Sequence, residues 1–183
     1  DRLIKNNLVK KYERGILVTN QTKRSGSTVA VDVTENSVYL DNPSHSDMWY
    51  GIRVQAGSDN SVTGNLISTT VTAVSGMEKT VYGISVEKSE NNIISENSIV
   101  NLGTGIRFLG TGVRNTTSCN SLSGSYRQIT MEVSFIDDQG TTSEASDNEW
   151  TRGTNTDANL CAIGTPASFK WYVQSSSTPY SPG

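Results

Sequence analysis

Four short runs of this chain share one pattern: Gly15-Ile16-Leu17-Val18, Gly51-Ile52-Arg53-Val54, Gly83-Ile84-Ser85-Val86 and Gly105-Ile106-Arg107-Phe108. A second pattern precedes them. Asn92-Ile93-Ile94-Ser95-Glu96-Asn97-Ser98-Ile99 reads Asn-x-Ile-x-x-Asn-x-Ile, and Gly105 follows six positions after Ile99. Ile4, Asn7, Val9 and Gly15 keep the same spacing. Asn60, Val62, Asn65 and Ile67 repeat it before Gly83, and Asn36, Val38 and Asp41 before Gly51. Asn120, Leu122 and Ser125 form a fading copy.

The pattern has a direct physical reading. Apolar residues two apart make each run a short strand with one buried face. Runs this short, separated by Asn and Gly, cannot be helices, and Asn and Gly tolerate the positive φ of a tight corner. A unit of about 22–32 residues with two or three such strands is one coil of a solenoid. Ile4, Val9, Ile16, Val18, Val38, Ile52, Val54, Val62, Ile67, Ile84, Val86, Ile94, Ile99, Ile106, Phe108 and Leu122 are expected to point inward. Asn36, Asn60 and Asn92 are expected to stack at one corner, and Asn7, Asn65 and Asn97 near another, as amides do in stacked strands.

Composition agrees. Asn, Ser and Thr supply 62 of the 183 residues, and hydrophobic residues only 34%. That balance argues against a helical bundle. The net charge of −3 argues against highly charged disorder. There is no Lys/Arg cluster to grip nucleic acid and no apolar stretch to cross a membrane. An extracellular or cell-surface location fits such a chain. The repeat is already running at residue 2, so a fragment or a processed chain is expected.

The Asn-x-Ile-x-x-Asn-x-Ile and Gly-Ile-x-Val motifs resemble right-handed parallel β-helix proteins of the pectate-lyase-like superfamily over roughly residues 2–125. The resemblance implies an all-β, right-handed parallel β-helix solenoid. It is nearly silent on function, because that fold carries polysaccharide lyases and hydrolases, tailspikes and adhesins alike. Ala145-Ser146-Asp147-Asn148-Glu149-Trp150, then Trp171-Tyr172, are loosely similar to the ends of secreted β-helix proteins of Bacteroidota.

A single β-helix domain is expected over 1–174, with regular coils to about 125 and an irregular cap over 126–174. Trp150, Phe169 and Trp171 would close the core, and 175–183 reads as a Ser/Pro-rich tail or linker. Insertions near Thr19–Thr28 and Ser68–Thr80 should leave the solenoid as loops. Cys119 and Cys161 lack the spacing of a zinc site, and pairing as a disulfide is the expected outcome in an oxidising compartment, with two free thiols as the alternative. No metal or cofactor is expected.

Catalytic constellations are thin. His45 is the one histidine, in the turn-rich Asn42-Pro43-Ser44-His45-Ser46-Asp47. Asp137-Asp138 reads as a turn. Tyr50 and Tyr82 each precede a repeat glycine, so they should stack on adjacent coils about 4.8 Å apart. They could form a platform for sugar faces, with Arg53, Glu87 and Arg107 adding polar contacts, or simply cover the corner. The expectation is a non-enzymatic structural or adhesive module that contacts a glycan or other copies of the chain through its N-terminal coil. A polysaccharide lyase or hydrolase, or a fragment of one, is the alternative.

Overall fold

The structure, a computed structural model, describes residues 2–10, 13–44, 46–134, 136–143, 145–164 and 170–172. It is a parallel β-helix in which each coil adds one strand to each of three sheets. The first coil supplies β1 (Arg2–Lys5), β2 (Leu8–Lys10) and β3 (Arg14–Thr19). The second supplies β4 (Val31–Thr34), β5 (Ser37–Leu40) and β6 (Trp49–Gln55); the third, β7 (Ser61–Thr63), β8 (Leu66–Thr69) and β9 (Val81–Glu87). The fourth holds β10 (Ile93–Ser95), β11 (Ser98–Val100) and β12 (Thr104–Leu109); the fifth, β13 (Thr116–Ser118), β14 (Ser121–Ser123) and β15 (Arg127–Glu132). Two more strands, β16 (Glu149–Thr151) and β17 (Ala158–Ile163), follow. Sheet 1 runs β1-β4-β7-β10-β13, sheet 2 runs β2-β5-β8-β11-β14-β16, and sheet 3 runs β3-β6-β9-β12-β15-β17.

The core follows the repeat. Of the residues expected inside, all but Ile4 and Val9 are buried, and those two, in the first coil, are partly buried against the same cluster. The strand ladders run past residue 125, because Ile129 pairs with Ile106 and Leu160 with Ile129 in sheet 3. Gln128 stands there in place of the repeat glycine, which hides the register from the sequence. Trp150 takes the inward position opposite Leu122 and packs on Trp171, ring centroids 5.5 Å apart. Phe169 and the 175–183 tail lie outside the described residues.

The repeat glycines serve close approach rather than a positive φ. A Cβ on Gly51 would stand 2.4 Å from Ile67 Cγ2 and 2.6 Å from the Gly83 carbonyl oxygen. The positive-φ corners belong to other residues. Asn6, Glu35, Gly64, Glu96, Cys119 and Asp147 all take φ between 49° and 67° between sheets 1 and 2, and each is followed by an asparagine. Those asparagines form one ladder: Asn7, Asn36, Asn65, Asn97, Asn120 and Asn148, each Nδ2 donating to the next Oδ1 at 2.8–3.0 Å. Asn36 therefore stacks with Asn65, not with Asn60 as the spacing had implied. Asn60, Asn92 and Asn115 make a second ladder. Its position in the second coil is held by Val31, because Asp32 pairs with Ser61.

The expected disulfide is not formed: Cys119 and Cys161 are free. The reason is placement. Cys119 occupies the corner between sheets 1 and 2, whereas Cys161 points outward from β17 in sheet 3, opposite Thr130. A disulfide needs Cα atoms within about 7 Å and converging Cβ vectors.

Candidate functional site

The outer face of sheet 3 gathers all five residues singled out for carbohydrate contact. Register stacks Tyr50 on Tyr82 and sets Arg53, Ser85 and Arg107 in one outward column. Gln55, Glu87, Leu109 and Glu132 form the next column. The tyrosine rings stack with centroids 5.3 Å apart. Arg53 lies over the Tyr50 ring at 4.6 Å, and Arg107 over the Tyr82 ring at 4.5 Å.

Charges alternate along this face. Glu87 is held by Arg53 on one side and lies 3.6 Å from Arg107 on the other. Ser85 Oγ donates to Glu87 Oε1 at 2.9 Å. Arg107 grips Glu132 through Nε at 3.1 Å and Nη2 at 2.8 Å. This two-pronged geometry is the strong form of an ion pair. Glu132 was missed by sequence reasoning; the signal was its position two residues beyond Thr130 in the fifth coil, obscured by Gln128.

The rings are covered by this network. Tyr50 is 4% exposed and Tyr82 1%. The Tyr82 hydroxyl donates to the Lys79 carbonyl, which belongs to a 3-10 turn (Met77–Lys79) in the Ser68–Thr80 insertion. Burial pushes the Tyr82 phenol up to about 12. Burial, reinforced by the Glu87 carboxylate, also raises Tyr50. Burial by itself would lower the Arg107 guanidinium, but its bonds to Glu132 and the neighbouring Tyr82 and Glu87 carry it above its ordinary value. Cation–π contact, ion pairs and stacking thus tie the patch together, although Arg53 Nε and Thr130 Oγ1 are buried without a hydrogen-bond partner. Neither ring presents an open face to a sugar.

The other candidates stay apart. Asp137 and Asp138 are exposed, and Asp138 accepts the Lys170 backbone N–H. His45 lies outside the described residues. Among the described residues no group of three or more His, Cys, Asp or Glu comes together as a metal site.

The first coil is the other feature of note. Its strands β1, β2 and β3 are the edge strands of all three sheets. Each carries an exposed leucine: Leu3 at 59%, Leu8 at 62% and Leu17 at 50%. Their partners in the second coil are Asp32, Ser37 and Arg53, all polar.

Residues 1–163 match the family described as periplasmic copper-binding protein (NosD). The chain belongs to the NosD family. No curated protein matches it. Among solved structures, a Parabacteroides merdae ATCC 43184 protein described as a candidate glycosyl hydrolase shares 11% identity with it. That match covers 88% of this chain and 80% of the other, with a TM-score of 0.38, and nothing about function follows from it. NosD membership accords with the three parallel sheets and extends over coils that the sequence motif alone left unassigned.

Proposed function

We propose that this chain is a non-catalytic structural module that works outside the cytoplasm by binding or assembly. The observation that carries this reading is the outer face of sheet 3, where the carboxylates are held by arginines. Exposed Leu3, Leu8 and Leu17 add an apolar outer surface for such contact. The family's periplasmic description supports the location.

The carboxylates of sheet 3 support the non-catalytic half. Glycosidic hydrolysis needs two carboxyl groups about 5–9.5 Å apart, one of them free to take or give a proton. Glu87 and Glu132 are both engaged by arginines. Carbohydrate contact at Tyr50, Tyr82, Arg53, Glu87 and Arg107 would require this network to open first.

Copper, in the family's description, would call on imidazole, thiolate or thioether ligands. The described residues do not fit it. Cys119 and Cys161 stand on different faces, Met77 and Met131 are core residues at 1% and 0% exposure, and Met48 is exposed, but no group of three or more His, Cys, Asp or Glu forms among the described residues.

Incubation of the chain with acidic and neutral polysaccharides tests the reading. No new reducing ends and no unsaturated uronates are expected; release of either overturns it.

A further inference from the structure

We propose that residues 70–80 form a latch: they lift off the solenoid as one unit and, in lifting, uncover Thr104 and the Tyr82 hydroxyl beside the arginine–carboxylate face of sheet 3. This goes beyond the binding-or-assembly reading and does not depend on it.

The segment joins β8 to β9 and is bonded unlike the strands around it. β9 pairs with β6 on one side and β12 on the other. Among the described residues, the main-chain bonds donated by 70–80 stay inside the segment: Met77 N–H to the Val74 carbonyl at 3.2 Å, Lys79 to Gly76 at 3.3 Å and Thr80 to Met77 at 3.0 Å. Glu78 Oε2 accepts the Gly76 N–H at 2.6 Å, so that buried carboxylate adds no tie to the coils. The Thr80 carbonyl, next to β9, takes the Trp49 N–H at 2.7 Å and marks the hinge end.

The remaining ties are side chains. Thr104 Oγ1 donates to the Glu78 carbonyl at 3.0 Å, the Tyr82 hydroxyl to the Lys79 carbonyl, and Asn155 Nδ2 to the Ala73 carbonyl at 3.1 Å. The Met77 side chain plugs the core. A segment without a cross-coil ladder opens at lower free energy than the strands it lies on. Thr80 Oγ1 is buried without a partner while the latch is shut, and water admitted by opening would satisfy it.

Gly103 shows that the socket is shaped for this segment. It does not take a positive φ. A Cβ there would stand 2.0 Å from the Met77 carbonyl oxygen, 2.3 Å from its carbon and 2.8 Å from the Glu78 nitrogen. All three atoms are latch backbone, whereas a Cβ on Gly105 would first meet the Gln128 carbonyl oxygen of the next coil. A methyl at 103 therefore wedges the latch and spares the stack.

The chain's three methionines supply the test. Met48 is exposed, Met131 lies in the core, and Met77 is the plug. Peroxide converts a thioether it can reach to the sulfoxide. Oxidation of the full chain by hydrogen peroxide, read by peptide mass spectrometry, should be fastest at Met48, slowest at Met131 and intermediate at Met77. Gly103→Ala should speed Met77 about tenfold, from the cost of overpacking, and leave Met131 unchanged. Asn155→Ala removes one tie and should speed Met77 about threefold. Spectrophotometric titration should show the Tyr82 phenol, pushed up to about 12 by burial, ionising at lower pH in Gly103→Ala. A common rate for Met77 and Met131 in the unmodified chain, a Met77 rate indifferent to both variants, or equal acceleration of Met77 and Met131 in both overturns the latch. An unmoved phenol overturns the uncovering of Tyr82. The polysaccharide incubation decides the non-catalytic reading separately.

Discussion

The first coil and the coils behind it are built from the same repeat, yet they meet water differently. Ile94 and Ile99 in the fourth coil are fully buried, whereas Ile4 and Val9 at the equivalent positions of sheets 1 and 2 are only partly covered. At the other end Trp150 is 4% exposed because Trp171 lies against it. A solenoid coil is stable only to the extent that neighbours on both sides cover it. The contrast teaches that burial here belongs to the stack rather than to the residue.

Substitutions can break that contrast. Trp150→Ala should have the largest effect, about 3–5 kcal/mol, because it removes the aromatic that closes one end of the core. Ile84→Ala should follow at about 2–5 kcal/mol. Ile4→Ala should cost only about 1 kcal/mol, since its side chain already meets water. Urea denaturation midpoints measure all three. Equal losses for Ile84 and Ile4 would show the first coil to be covered in solution, which would itself report assembly.

The asparagine ladder offers the same comparison in polar terms. Asn97 donates to the Val62 and Ser95 carbonyls and to Asn120 Oδ1, and it accepts from the Asn65 backbone and side chain. Asn97→Ala strands several buried groups and should cost about 2–4 kcal/mol. Asn7→Ala, at the exposed end, should cost under about 1 kcal/mol.

The shorter ladder gives a smaller effect of opposite sign. Asn60 Oδ1 is buried without a donor, because Val31 stands where an amide would. Val31→Thr keeps the shape and adds a hydroxyl. A buried Val→Thr change normally destabilises. Here the new donor lies beside an unsatisfied acceptor, and stability should hold or rise by about 1 kcal/mol. A clear loss in the denaturation midpoint would show that the hydroxyl cannot reach Asn60.

How much of this was legible in the sequence varies with the physics involved. The inward positions from Ile16 to Leu122 could be read directly, since period-two alternation is what burial of one strand face demands. Stacking of Tyr50 on Tyr82 was legible for the same reason, because both precede a repeat glycine. Their burial was not: it depends on Lys79 and on guanidinium groups that reach across coils. Asn36 was assigned to the wrong ladder because corner asparagines look alike one by one. Only strand pairing shows that Val31, not Asn36, shares a column with Asn60. Glu35, Glu96 and Cys119 take positive φ against their intrinsic preference of about 1–2 kcal/mol, so no local signal marks them as corners. Cys119 and Cys161 looked like a pair only because the chain holds two cysteines; the sheets to which they belong place them apart.

The smallest expected effect concerns Cys119, at a corner equivalent to Glu96 and Asp147. The thiol is exposed, which by itself favours reaction, but partial burial raises its pKa and the Asp147 and Glu96 carboxylates push it further up. The thiolate is the reactive form. A raised pKa means less thiolate at any pH below it, so alkylation at pH 8 should run a few-fold slower than for a free cysteine. The difference should vanish at high pH, once both thiols are ionised. Asp147→Asn removes one of the opposing charges and should speed the reaction at pH 8 while leaving the high-pH limit unchanged. The Asn120–Asn148 bond beside it should keep the corner in place. Mass-spectrometric alkylation without reductant reads this and checks the free thiols together. A rate independent of Asp147 would show that burial alone restrains Cys119, and failure of both cysteines to alkylate until reduced would show them joined after all.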